Sequence, residues 1–144
     1  MYHSRMVLTV LRRAYPPAAL AWAAALPAAT FAATRAHAPA IAHACAFAVY
    51  AIGALVCHQK PERSFHLWTA QLPVCARCTG IYVGAVLGLV LRSGRTSRTL
   101  LIAAVVPTAA TLVFEWTTGI MPSNAIRFAA GLPLGMVVSW LVLK

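Results

Sequence analysis

Ala54-Leu55-Val56-Cys57-His58-Gln59 closes one apolar run, and Pro73-Val74-Cys75-Ala76-Arg77-Cys78-Thr79-Gly80 opens the next. Three cysteines therefore stand at the ends of two apolar segments, 39–56 and 74–91. The connection between them is polar and holds Lys60, Glu62, Arg63, His66 and Gln71. The runs are continuous, and each is close to the roughly 20 residues that a helix needs to cross a bilayer. A closed β-barrel would need segments that alternate apolar and polar. The stretch reads as two membrane helices meeting at one face of the bilayer, with a thiol cluster between them.

The rest of the chain has the same character. Of 144 residues, 61% are hydrophobic and 10% charged, against about a quarter charged in a soluble domain. Mean hydropathy is +0.77. The expectation is an all-α, polytopic integral membrane protein of four or five transmembrane helices, a single membrane domain over residues 1–144. The spans fall at about 14–34, 39–56, 74–91, 99–118 and 125–143. The first is the weakest, because it is rich in Ala and holds Pro16, Pro17 and Pro27. Ala36-His37-Ala38 also offers a signal-peptide cleavage pattern. Pro39 directly after it, and the length of the run, favour an uncleaved helix behind a basic head, 1–13.

The net charge of +10 comes from 12 Lys and Arg against two acids, Glu62 and Glu115. In a soluble protein that balance would suggest nucleic acid. Here the basic residues sit at span ends, with no run of five and no interleaved exposed aromatics. The expected partner is the lipid bilayer, with no nucleic acid. Arg92, Arg95 and Arg98 form the densest basic loop, which the positive-inside rule places in the cytoplasm. A multi-pass protein of the cell membrane with an extracytoplasmic thiol face follows. Five full spans would put Arg5, Arg12 and Arg13 outside, a conflict that disappears if the first segment does not cross.

Gly80, Gly84 and Gly88 make one stripe down the third span, and Gly131 with Gly135 repeats the spacing in the fifth. Small residues at i and i+4 let helices approach closely in lipid. They read as packing surface, within the chain or in a homo-oligomer.

Span order then gathers the polar residues. The second span ends at the thiol face, the third leaves it, the fourth returns and the fifth starts there. Glu115, Ser123, Asn124 and Arg127 thus share a face with Cys57, His58, His66, Cys75, Arg77 and Cys78. Glu115 lies about one turn inside its helix end, where a carboxylate is costly unless paired or wetted. Two readings stay open: an ion pair with Arg127 that staples two helices, or a group acting beside the thiols as metal ligand, second shell or proton carrier.

Three chemistries suit the thiols. Cys57, Cys75 and Cys78 with His58 or His66 make a Cys3His set for tetrahedral zinc. Soft sulfur ligands also admit copper or an iron–sulfur centre. Alternatively, Arg77 and a helix amino terminus would lower the pKa of Cys75 or Cys78 for thiol–disulfide exchange, with Cys57 as relay. Cys45 lies roughly 18 Å up the second helix, too far to make a second pair with Cys57, which counts against that enzyme. The third reading is a structural thiol site in a transporter of a small ligand or metal ion. Cys45, His37 and His43 read as ordinary helix residues, and no catalytic residue is assigned.

Cys57-His58-Gln59, Pro61-Glu62-Arg63-Ser64-Phe65 and Pro73 through Gly84, with Ser123-Asn124, Arg127-Phe128, Gly131 and Gly135, resemble an uncharacterised family of small prokaryotic predicted membrane proteins, a domain of unknown function. The resemblance covers residues 45–140. It differs at Glu115-Trp116, where the family pattern has Asp-Gly. It implies a multi-span helical protein and no particular activity.

Overall fold

A computed structural model describes residues 2–91 and 97–144, with side chains in the first helix described from Met6 onward. The elements in order are α1 (Tyr2–Ala33), α2 (Ala40–Val56), a 3₁₀ turn (Pro61–Arg63), β1 (Ser64–Leu67), β2 (Ala70–Cys75), α3 (Ala76–Val90), α4 (Arg98–Thr118) and α5 (Asn124–Val142). The expected five helices are present. Arg92 and Arg95 of the basic loop lie outside the described residues, and Arg98 opens α4.

Met6–Ala33, Arg98–Thr118 and Asn124–Val142 are long and apolar enough to cross a membrane. The basic head is not separate but continues into α1, which runs 32 residues through its three prolines. The other two helices are short: 17 residues in α2 and 15 in α3, roughly 26 and 22 Å. The third span is shorter than expected because Val74 and Cys75 end a strand rather than open a helix.

The burial pattern is that of a protein whose solvent is lipid. Leu55, Phe47, Val90 and Trp116 are 75–85% exposed, while Arg127, Glu115, Thr30 and Ser139 are buried. Apolar side chains outside and ionised ones inside reverse the order found in water. Helix ends are fixed locally. The hydroxyls of Ser97 and Ser123 accept from Leu100 and Ile126 backbone N–H at 3.2 and 3.3 Å, capping α4 and α5. Gly119, with φ 68°, closes α4 in the left-handed conformation.

The axis of the molecule is the α3–α5 pair, packed glycine stripe against glycine stripe. A Cβ on Gly84 would lie 2.1 Å from the Leu132 carbonyl oxygen, and one on Gly135 1.9 Å from that of Ile81. Gly80, Gly88 and Gly131 make similar approaches to Phe128, Met136 and Arg77. The two stripes thus occupy each other within one chain.

The polar connection is more ordered than a loop. β1 and β2 pair antiparallel, with His66 opposite Gln71 and Leu67 opposite Ala70. Trp68 and Thr69 make the two-residue turn with φ of 50° and 73°, the left-handed pair that such a hairpin needs. Gln59 ties the hairpin to α2, donating from Nε2 to the Tyr50 carbonyl at 2.8 Å and the Pro73 carbonyl at 2.6 Å. The Tyr50 hydroxyl donates to the Gln71 carbonyl. Asn124 Nδ2 donates to the Ser64 carbonyl at 3.0 Å, tying the hairpin to α5. Beneath it Leu26, Cys57, Leu72 and Val74 form a buried cluster, joined by Trp22 and Tyr82 edge to face.

Candidate metal centre

The thiols are brought together by three element ends. Gly53 lets the last turns of α2 abut β2, since a Cβ there would lie 2.4 Å from the Pro73 carbonyl oxygen. Cys57 is the first extended residue after α2, its N–H bonded to the Gly53 carbonyl at 2.9 Å. Cys75 ends β2 and is the N-cap of α3, and Cys78 lies one turn further on. Their three sulfurs all lie within 4.8 Å of one another, close enough to hold one metal ion. All three cysteines are free thiols.

The electrostatics of the trio favour thiolate at Cys57. The Cys75 and Cys78 thiols donate to it, and the backbone N–H groups of Gln59 and Cys75 add to this, the latter at 3.2 Å. Together they hold the Cys57 thiol well below the usual thiol range, against the opposing effect of burial. A thiolate is the form that binds metal.

Neither histidine joins the sulfur group. His58 lines the cavity beside it. His66 is exposed on β1 opposite Gln71.

The second cluster is built around Glu115, in the last turn of α4 and only 7% exposed. The expected partner, Arg127 of α5, is there with Nη2 3.1 Å from Oε2. Arg63, which the sequence reading assigned to no site, is closer, with Nη2 2.6 Å from Oε1. Arg77 reaches Oε2 at 3.8 Å and donates to Thr111 Oγ1 at 3.2 Å. One carboxylate therefore gathers guanidiniums from the 3₁₀ turn, α3 and α5. Ser123 Oγ caps α5 and Asn124 Nδ2 bonds the hairpin carbonyl, while Asn124 Oδ1 is buried without a hydrogen-bond partner.

Between the clusters lies a cavity of about 390 Å³. Cys57, Cys75 and Cys78 line it, as do Arg63, Arg77 and Arg127, with His58, Gln59 and Lys60. The signal for Arg63 was its place in the polar connection on the thiol face. Its reach to Glu115 depends on the 3₁₀ turn, which sequence did not reveal.

A family model described as "Predicted membrane protein (DUF2085)" matches residues 57–141, more than half of the chain. The chain belongs to this family. The DUF2085 match begins at Cys57 and takes in the three thiols, Glu115 and its three arginines. It leaves out α1 and α2. The chain is similar to an uncharacterized protein of Methanocaldococcus jannaschii, 34% identical over 107 residues, 66% of this chain and 66% of that one. It is also similar to an uncharacterized protein of Methanothermobacter thermautotrophicus, 38% identical over 101 residues, 62% of this chain and 87% of that one. The chain thus spans a little under two thirds of the length of the first relative. No solved structure matches it.

Proposed function

We propose that this membrane protein holds one zinc ion on Cys57, Cys75 and Cys78, with the fourth ligand position turned to the cavity. The observation that carries the reading is the three sulfurs within 4.8 Å of one another. Tetrahedral zinc with sulfurs at about 2.3 Å needs them roughly 3.8 Å apart, a small adjustment. His58, on the cavity wall, is better placed than His66 to be the fourth ligand. Without it, the position is open to water or a ligand, as in zinc sites that act on a substrate.

Glu115 with Arg77 and Arg127 serves as the polar surround of this centre, and Ser123 and Asn124 fix the helix end that carries Arg127. The thiol end faces out of the cytoplasm in a multi-pass protein of the cell membrane, the orientation favoured by the basic 92–98 loop. Copper on the same soft ligands is the alternative metal.

The test is metal content and thiol titre of protein purified anaerobically without chelator. About one zinc per chain, with the three thiols blocked until chelation, is expected. Metal-free protein with a reducible bond between Cys75 and Cys78 would overturn the reading in favour of thiol exchange.

A further inference from the structure

The cationic wall of the cavity has more donors than the protein satisfies. Arg63, Arg77 and Arg127 share the single carboxylate of Glu115, and Lys60 lines the same cavity. The chain's other acid, Glu62, is exposed. Each guanidinium carries five N–H donors, and a carboxylate offers about four acceptor sites. Arg127 is 1% exposed, yet none of its nitrogens makes a well-formed hydrogen bond. The Nε atoms of Arg63 and Arg77 are equally without an acceptor.

Buried guanidiniums in this condition are costly, and more so at membrane depth. A divalent ion on three thiolates would leave one net negative charge nearby. That charge and Glu115 together are still outnumbered by three arginines and Lys60.

The geometry points to a binding site for a phosphate-type oxyanion between Arg63, Arg77 and Arg127. Planar guanidinium forks suit phosphate oxygens, and forks from three elements converge here on one cavity. The cavity's rim includes Val56 and Trp116, which are 59% and 76% exposed. A lipid phosphate would place its headgroup on the arginines and leave its tails along that apolar rim. Free phosphate would use the same forks. The site goes beyond the metal reading and does not require it.

The test uses the full chain in dodecyl maltoside micelles, which carry no phosphate, with thermal unfolding as readout. One arm titrates inorganic phosphate, and the other adds phosphatidic acid to the micelles. Saturable stabilisation in either arm is expected, and which arm responds identifies free or lipid phosphate as the source. Arg63→Gln, at the half-exposed rim, removes one fork without emptying the core. It should weaken the response about tenfold or more. Glu115→Gln removes the internal counter-anion and should make the stabilisation by phosphate larger than in the wild type. No response above detergent alone, or an Arg63→Gln response equal to the wild type, overturns the site. Metal content read on the same samples separates this failure from failure of the metal centre.

Discussion

The two ends of the α3–α5 pair treat their buried polar groups differently. At the end away from the thiols, the Ser139 hydroxyl is fully buried, donates to the Ala85 carbonyl at 2.7 Å and accepts from Tyr15 at 2.7 Å. Trp140 Nε1 donates to the Gly88 carbonyl at 3.0 Å. At the thiol end the same two helices carry Arg77, whose Nε has no acceptor, and Arg127, none of whose nitrogens makes a well-formed hydrogen bond. Both ends are held by the same close glycine packing, so loose helices do not explain the difference. Polar groups that serve packing are closed against nearby backbone, as hydrocarbon surroundings demand. Those at the thiol end keep open valence beside three free sulfurs and a cavity. That contrast separates a structural polar cluster from the end we propose as a ligand site.

The largest effect should come from Glu115→Ala, which leaves three guanidiniums without their carboxylate. A loss of about 3 kcal/mol or more is expected, of the size found when one partner of a buried pair is removed. Thermal unfolding in nanodiscs measures it. An unchanged midpoint would mean that the thiol end is already neutralised by something other than Glu115. Next comes Gly135→Ala, which forces a methyl group to within 1.9 Å of the Ile81 carbonyl oxygen unless the helices part. The cost should be about 1–3 kcal/mol, with monodispersity in detergent reduced. Ser139→Ala should cost about 1 kcal/mol and leave metal content unchanged. Metal loss in that variant would show that the two ends are coupled. The smallest effect belongs to His66→Ala, expected to keep both metal and stability within about 0.5 kcal/mol. His58→Ala should weaken metal retention instead, measured by competition with a chelator.

Much of this arrangement was legible in the sequence because membrane topology is simple arithmetic. Apolar runs gave the helices, and their order alone put Glu115 and Arg127 on the side of Cys57, Cys75 and Cys78. The glycine spacing marked α3 and α5 as close-packing helices, though not that they would pack on each other. The hairpin was illegible for a physical reason. Its turn is Trp68-Thr69, both with positive φ, where the usual signal is Asn-Gly. Tertiary bonds from Gln59, Tyr50 and Asn124 hold that hairpin to α2 and α5, and such bonds leave no local pattern. Arg63 was missed with it, since its contact with Glu115 is made from the 3₁₀ turn that leads into β1. The histidine choice was open in sequence because spacing fixes neither residue's direction. His66 lies in register with Gln71, whereas His58 follows Cys57 directly and lines the cavity.

The proposed metal is held by three sulfurs at the end of α2 and the start of α3. X-ray absorption at the zinc edge tests it most directly, on protein purified in detergent without chelator. About three sulfur neighbours near 2.3 Å and one lighter nitrogen or oxygen neighbour near 2.0–2.1 Å are expected. Zinc bound without sulfur neighbours, or stoichiometric zinc in a Cys57→Ser variant with its sulfur count unchanged, would contradict it.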